Sequence, residues 1–196
     1  MKAIALVQGL ATALVAAAAI GCGTSPPARF YTLDSTATAD GAEAVRTGVI
    51  VGPVSVPAAV DRPEFVVQVA PNRVELDEFH RWAGPLGEGI ARTVAGDLAV
   101  LLGADVAPAP FANFDPAYRV TIDVQRFESV RGESALVEAV WVVRAVAGGA
   151  TRSGRTVARE AVQGAGYEGL AAAHSQALAA LSADIAAAIR LAAGAR

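Results

Sequence analysis

The segment Phe65-Val66-Val67-Gln68-Val69-Ala70-Pro71-Asn72-Arg73-Val74-Glu75-Leu76-Asp77-Glu78-Phe79-His80-Arg81-Trp82-Ala83-Gly84-Pro85-Leu86 changes secondary structure twice within one short run. Phe65 to Ala70 is β-branched and aromatic, which suits a strand. Pro71-Asn72 is turn chemistry, and Val74 to Trp82 returns with Val74 and Leu76 on one face and Glu75 and Asp77 on the other. The pair predicts a hairpin. Gly84-Pro85 then starts a helix, because the proline ring suits the first helical position, and Leu86, Ile90, Val94, Leu98 and Leu101 recur at helical spacing up to Gly103. Glu88, Arg92 and Asp97 are placed on its outer side, so the helix is expected to lay one apolar stripe on a sheet.

Reading outward from the hairpin, Phe30 to Leu33 is strand-like and Asp34 to Thr47 is a flexible loop without periodicity. Gly48 to Val56 is a strand, with Pro53 and Pro57 marking an edge or a bulge. Tyr118 to Phe127, Ala135 to Ala147 and Arg152 to Val162 predict a meander, turning at Arg131-Gly132 and Ala147-Gly148-Gly149. Tyr118, Val120, Ile122 and Val124 share one face of the first of these strands. Val137, Ala139, Trp141 and Val143 share one face of the second, and Leu136, Val140 and Val142 on its back suggest that both sides are covered. Tyr167 to Leu191 is an alanine-rich helix with a stripe through Leu170, Leu178, Leu181, Ile185 and Ile189. The expected fold is α+β, an antiparallel or mixed sheet with two main helices packed on it.

Hydrophobic residues make up 54% of the 196, but beyond the first twenty the apolar runs are short, so no second membrane span is expected. Lys2 and Met1 precede an apolar run, Ala3 to Ile20, interrupted by Gln8 and Thr12, which suits a secretory leader. Ala19-Ile20-Gly21-Cys22 follows, with the layout of a lipobox in which the thiol takes up acyl chains. Residue 19 is alanine where leucine is usual. Cys22 is the one cysteine, which excludes an intrachain disulfide and leaves the thiol to be explained by acylation. The expected division is a leader over residues 1–21, an acylated tether over 22–29 and one domain over 30–196. Gly23 stands where an aspartate would hold a lipoprotein at the inner membrane, so the outer membrane, on its periplasmic face, is the expected site.

The inventory for chemistry is thin. The arginines are scattered from Arg29 to Arg196 with no basic run, so nucleic acid is not an expected partner. Only two histidines are present. His80 sits at a strand end as a half-exposed structural residue, and His174 flanks the last helix stripe and completes its packing. Asp77, Glu78 and Glu64 read as a solvated face rather than an acid/base pair. Gly87-Glu88-Gly89 lacks the strand and third glycine of a dinucleotide site. No catalytic residue, metal site or cofactor is expected.

Several segments together resemble the PqiC-like family of ABC-type transport auxiliary lipoproteins: Phe30-Tyr31-Thr32-Leu33, Val51-Gly52-Pro53-Val54-Ser55-Val56-Pro57, Asp61-Arg62-Pro63, Trp82-Ala83-Gly84-Pro85-Leu86 and the run from Tyr167 to Ala186. Their order along nearly the whole mature chain carries the resemblance. Gln68 stands where a basic residue is common in such proteins. The resemblance implies a non-enzymatic lipoprotein that docks a lipid-transport apparatus at the outer membrane and supports envelope integrity. Its implied partners are an MCE-domain protein and, through that protein, an inner-membrane ABC transporter, with a homo-oligomeric ring as the implied assembly. A structural envelope or secretion-complex lipoprotein and an anchored hydrolase are the competing readings. Asn72 and Arg73 at the hairpin tip are the candidate interface: Asn72 also suits the turn for backbone reasons, whereas no turn geometry demands Arg73, whose guanidinium suits a carboxylate on a neighbouring protomer or on the MCE protein. Trp82 is expected to be core, with an interface anchor as the alternative.

Overall fold

The computed structural model describes residues 26–45, 47–149, 151–164 and 166–194. The expected leader, Cys22 and the first part of the tether lie outside the described residues. The strands are β1 (Arg29–Tyr31), β2 (Val49–Ser55), β3 (Glu64–Ala70), β4 (Arg73–Trp82), β5 (Val106–Pro108), β6 (Tyr118–Val130), β7 (Ser134–Ala145) and β8 (Thr151–Ala161); the helices are α1 (Leu86–Leu102) and α2 (Gly166–Ala193).

All eight strands form one mixed sheet. The long strand β6 organises it. On one side β6 pairs antiparallel with β7, and β7 with β8, which is the meander expected from the turns. On the other side β6 is shared: β2 runs parallel along its first half, from Val49 opposite Tyr118 to Ser55 opposite Asp123, and β3 joins parallel at Gln68 opposite Val130. β4 pairs antiparallel with β3, β1 runs parallel to the end of β4, and β5 runs parallel to the far side of β2. The sheet is therefore mixed, and β2 is interior rather than an edge. Its Pro53 is accommodated by a bulge, where the register slips between Val51 and Val54, and Pro57 lies beyond the strand. Gly52 has φ 131°, and a side chain there would press on Ala109 at 3.1 Å.

Both helices lie on one face of this sheet. The predicted stripes are buried in both, as are Tyr118, Val120, Ile122, Val124, Val137, Ala139, Trp141 and Val143 beneath them. By length and composition α2 would suffice to cross a membrane, yet its stripe is packed on β7 and β8. The opposite face of the sheet is open over much of its area: Ser134, Leu136 and Glu138 are buried there, but Val140 and Val157 are exposed, so the expectation of a β7 covered on both sides holds only over its first five residues. Leu136 lies between Glu128 and Arg159 in the register, whose stems shield it.

Two further expectations change. α1 starts one residue after Pro85, which is its N-cap, and ends at Gly103 in the left-handed conformation. Its Asp97, assigned from spacing to the outer side, is fully buried, because α2 and the segment after β1 cover what would otherwise be a solvent face. β5 has no counterpart in the sequence reading, since three residues ending in proline carry no alternation to detect.

Candidate functional site

Between Asp123 and Val130, β6 has no strand partner on the side that β2 and β3 share. The gap is a groove of about 290 Å³, bounded by Val60 from the β2–β3 connection, Val66 and Gln68 of β3, Asn72, Arg73 and Val74 of the hairpin, and Arg126 to Ser129 of β6. Its floor is apolar and its rim is charged. Arg126 donates twice to Glu128, both at 2.8 Å, and lies 3.6 Å from Glu138, which also accepts from Arg155. The Arg155 hydrogen bond holds the Glu138 carboxyl below its usual range, and Glu128 raises the Arg126 guanidinium further. Arg73 is bound far more loosely: its ion pair with Glu75, the one it makes among the described residues, measures 4.0 Å between two exposed side chains. The structure thus brings Asn72 and Arg73 together on the rim of one groove. Trp82, the third sequence-derived interface candidate, is not there.

Trp82 is 6% exposed, at the far end of β4 on the helix face. It stacks on Phe65 at 4.3 Å and meets Phe127 and His174 edge-on at 6.0 and 6.3 Å. This is a core position with no surface to offer a partner, and Leu86 beside it is equally buried. The cluster continues through Tyr167, which stacks on His80 at 4.0 Å and donates to Asp77 at 2.7 Å, while Arg131 donates to its hydroxyl. Burial, then the Asp77 hydrogen bond, pushes the Tyr167 phenol up to about 12. Desolvation acts to raise Asp77, but bonds from Tyr167 and from the Phe79 and His80 N–H groups outweigh it and hold the carboxyl low. Asp77 is therefore a bonded hinge of the β3–β4 bulge rather than part of a solvated face. Glu64 is separate, paired with Arg81.

One pair has the outline of a nucleophile and its base. Ser129 Oγ lies 2.7 Å from His174 Nε2, but Ser129 is 3% and His174 0% exposed, and His174 lies face to face with Phe127 at 3.8 Å. Burial lowers the His174 pKa to about 3, and Nδ1 has no partner among the described residues, so no carboxylate orients the ring. The pair bolts α2 to β6, as the packing role expected for His174 requires. Among the described residues no cluster of His, Cys, Asp and Glu could hold a metal.

The constellation that sequence reasoning missed is built on Asp97. Its Oδ1 accepts from Ser35 Oγ at 2.7 Å and from the N–H groups of Thr36 and Ala37 at 2.9 and 3.0 Å, and Ser182 Oγ of α2 lies 3.2 Å from Oδ2. Ser175 Oγ accepts from the Asp34 N–H at 3.1 Å, and Arg190 pairs with Asp40 at 2.8 Å. The segment after β1, expected as a flexible loop, is instead a strap tied down to both helices. It lies along α1 on three glycines spaced seven apart: Leu33 meets Gly89, Ser35 meets Gly96 and Ala44 meets Gly103. Seven residues are nearly two helical turns, so the three share a face, and that spacing is the signal the sequence carried.

Together these features define an α+β domain whose buried Asp97 and His174 are committed to joining its elements, with a groove beside β6 and a largely open sheet face. The chain belongs to the family of ABC-type transport auxiliary lipoprotein components, whose description matches residues 31–186. Membership makes it a transport-associated lipoprotein of a family that is not enzymatic, and a lipoprotein is held at a membrane. A solved but uncharacterised protein shares the fold at TM-score 0.68 and 20% identity, over 84% of this chain and 99% of its own. A Xanthomonas campestris protein does so at TM-score 0.67 and 20% identity, over 81% and 93%. No curated protein matches the sequence at a comparable level of significance.

Proposed function

We propose that this chain is acylated at Cys22, sits on the periplasmic face of the outer membrane, and docks the MCE-domain protein of a lipid-transport apparatus driven by an inner-membrane ABC transporter. Copies gather in a ring around the end of that protein, and the assembly supports envelope integrity. The observation that carries the reading is family membership over 31–186, combined with a short tether that keeps the body at the membrane. Arg73 supports a docking surface at the groove: it is exposed, its ion pair with Glu75 is long, and a guanidinium freed from such a pair can engage a partner carboxylate without losing a good internal bond.

The test is co-purification from detergent extracts, where no bilayer contributes. Wild-type protein should bring down an MCE-domain protein and migrate as an oligomer, and Arg73→Glu should lose both while keeping its melting temperature. An Arg73→Glu protein that still assembles and restores the barrier in a deletion strain moves the docking surface away from this rim.

A further inference from the structure

β1 runs parallel to β4 and begins at Arg29 opposite His80, so the chain leading back toward Cys22 leaves β1 pointing toward the end of the sheet where β4 begins. At that end the β3–β4 hairpin overhangs β1, which covers β4 only from His80 to Trp82, and is held to β6 only at Gln68 opposite Val130, beside the β6–β7 turn. The overhang ends in Val69-Ala70-Pro71-Asn72-Arg73-Val74, six residues without a carboxylate. Val74 is 56% and Leu76 46% exposed, and Val69 is also open, with Val74 on the lip of the groove beside β6. A free strand end with exposed valines is normally blunted or covered.

The covalent tether decides what covers this one. The seven steps from Cys22 to Arg29 span at most about 25 Å when fully extended. From His80 back to Arg73, β4 passes a bulge and then runs opposite the five steps of β3 from Phe65 to Ala70, an advance of about 17 Å along the sheet. A bilayer that holds acyl chains on Cys22 therefore lies within about 25 Å of Arg29, and a relaxed seven-residue tether, about 15 Å from end to end, brings it as near to Arg29 as the hairpin tip reaches. Arg73, the one charge among the six, has the sign that a phospholipid surface attracts.

We propose that the tip from Val69 to Val74 rests in the headgroup layer of the leaflet that holds the Cys22 acyl chains, a second membrane contact that fixes the tilt of the domain. This rests on the reading of Cys22 as the acylated anchor. The test uses the full chain, matured and purified from membranes, carrying Asn72→Cys or, at the opposite end of the sheet, Val146→Cys. Each is labelled with an environment-sensitive dye and reconstituted in phosphatidylethanolamine and phosphatidylglycerol vesicles, with intact mass measured on the same samples. The dye at 72 should emit to the blue of the dye at 146 and be quenched severalfold more by a quencher attached to lipid. Adding Val74→Glu should return it toward water without changing the melting temperature. Acyl mass present with equally wet dyes at 72 and 146 overturns the membrane contact and leaves the anchor standing. Absence of acyl mass overturns the anchor and, with it, the geometric constraint on which this contact depends.

Discussion

At the scale of the residue, buried polar groups hold this fold together, and their chemistry makes measurable demands. His174 is neutral in the folded protein down to about pH 3, whereas in the unfolded chain it takes up a proton near pH 6.5. Between those values the unfolded state binds more protons, so stability is complete above about pH 6.5 and falls by up to ~1.4 kcal/mol per pH unit as the solution is acidified. Carboxylates held low, such as Asp77, give stability that is lost only below their unfolded pKa near 3.8, so a denaturation series between pH 6.5 and 5 isolates the histidine. His174→Gln should flatten that slope; an unchanged slope would assign it to another group. Asp97→Ala leaves the Ser35 hydroxyl and the Thr36 and Ala37 N–H groups without their acceptor, at ~1–3 kcal/mol for each group that stays buried. A drop in stability with increased proteolysis of residues 34–45 is the expected result, since the strap loses its lock. Trp82→Ala should cost about 3–5 kcal/mol, because the indole fills the space between Phe65, Phe127 and His174; unchanged melting with lost partner binding would make it an interface residue instead.

At the scale of the element, the glycine row on α1 sets two effects against each other. Gly96→Ala should favour the helix by ~1 kcal/mol on propensity alone. A methyl at Gly96, however, would sit 2.9 Å from Ser35 Cβ, an atom fixed by its own backbone rather than a mobile side-chain end, so the strap has to shift and the Asp97 bonds shift with it. The second effect should win, giving a net loss in thermal stability, and a gain would mean that the strap is dispensable. The strap also shows where the sequence stopped being legible. The hairpin, both helices and the meander were readable because each repeats one period over many residues, and the two-fold sharing of one edge of β6 was not, because it depends on contacts between segments far apart in the chain. Spacing put Asp97 outside because its partners Ser35, Thr36, Ala37 and Ser182 come from distant segments. For the same reason Asn72 and Arg73 could be placed on a hairpin tip from the sequence, while the groove they border could not.

At the scale of the whole molecule, residence at the membrane depends on how the body is held. Each buried methylene contributes ~0.8 kcal/mol, so one acyl chain binds a membrane only marginally, and the two or three of a bacterial lipoprotein bind almost permanently. The protein without them has a largely open sheet face carrying Arg155 and Arg159 and a hairpin tip of few exposed apolar groups, neither of which supplies comparable energy. Membrane residence should therefore depend on Cys22 in an all-or-none way, whereas contacts of the hairpin tip change orientation more than residence. Intact-mass measurement of protein extracted from membranes should give a chain beginning at Cys22 with added acyl mass, and Cys22→Ser should appear in the soluble periplasmic fraction or remain uncleaved. Because the strap, the helices and the sheet tie together residues from Arg29 onward, the released variant should keep the melting temperature and near-ultraviolet spectrum of the wild-type body. A free Cys22 thiol on a mature, functional, membrane-bound protein would overturn the anchor, and the attachment would then have to come from the folded domain itself.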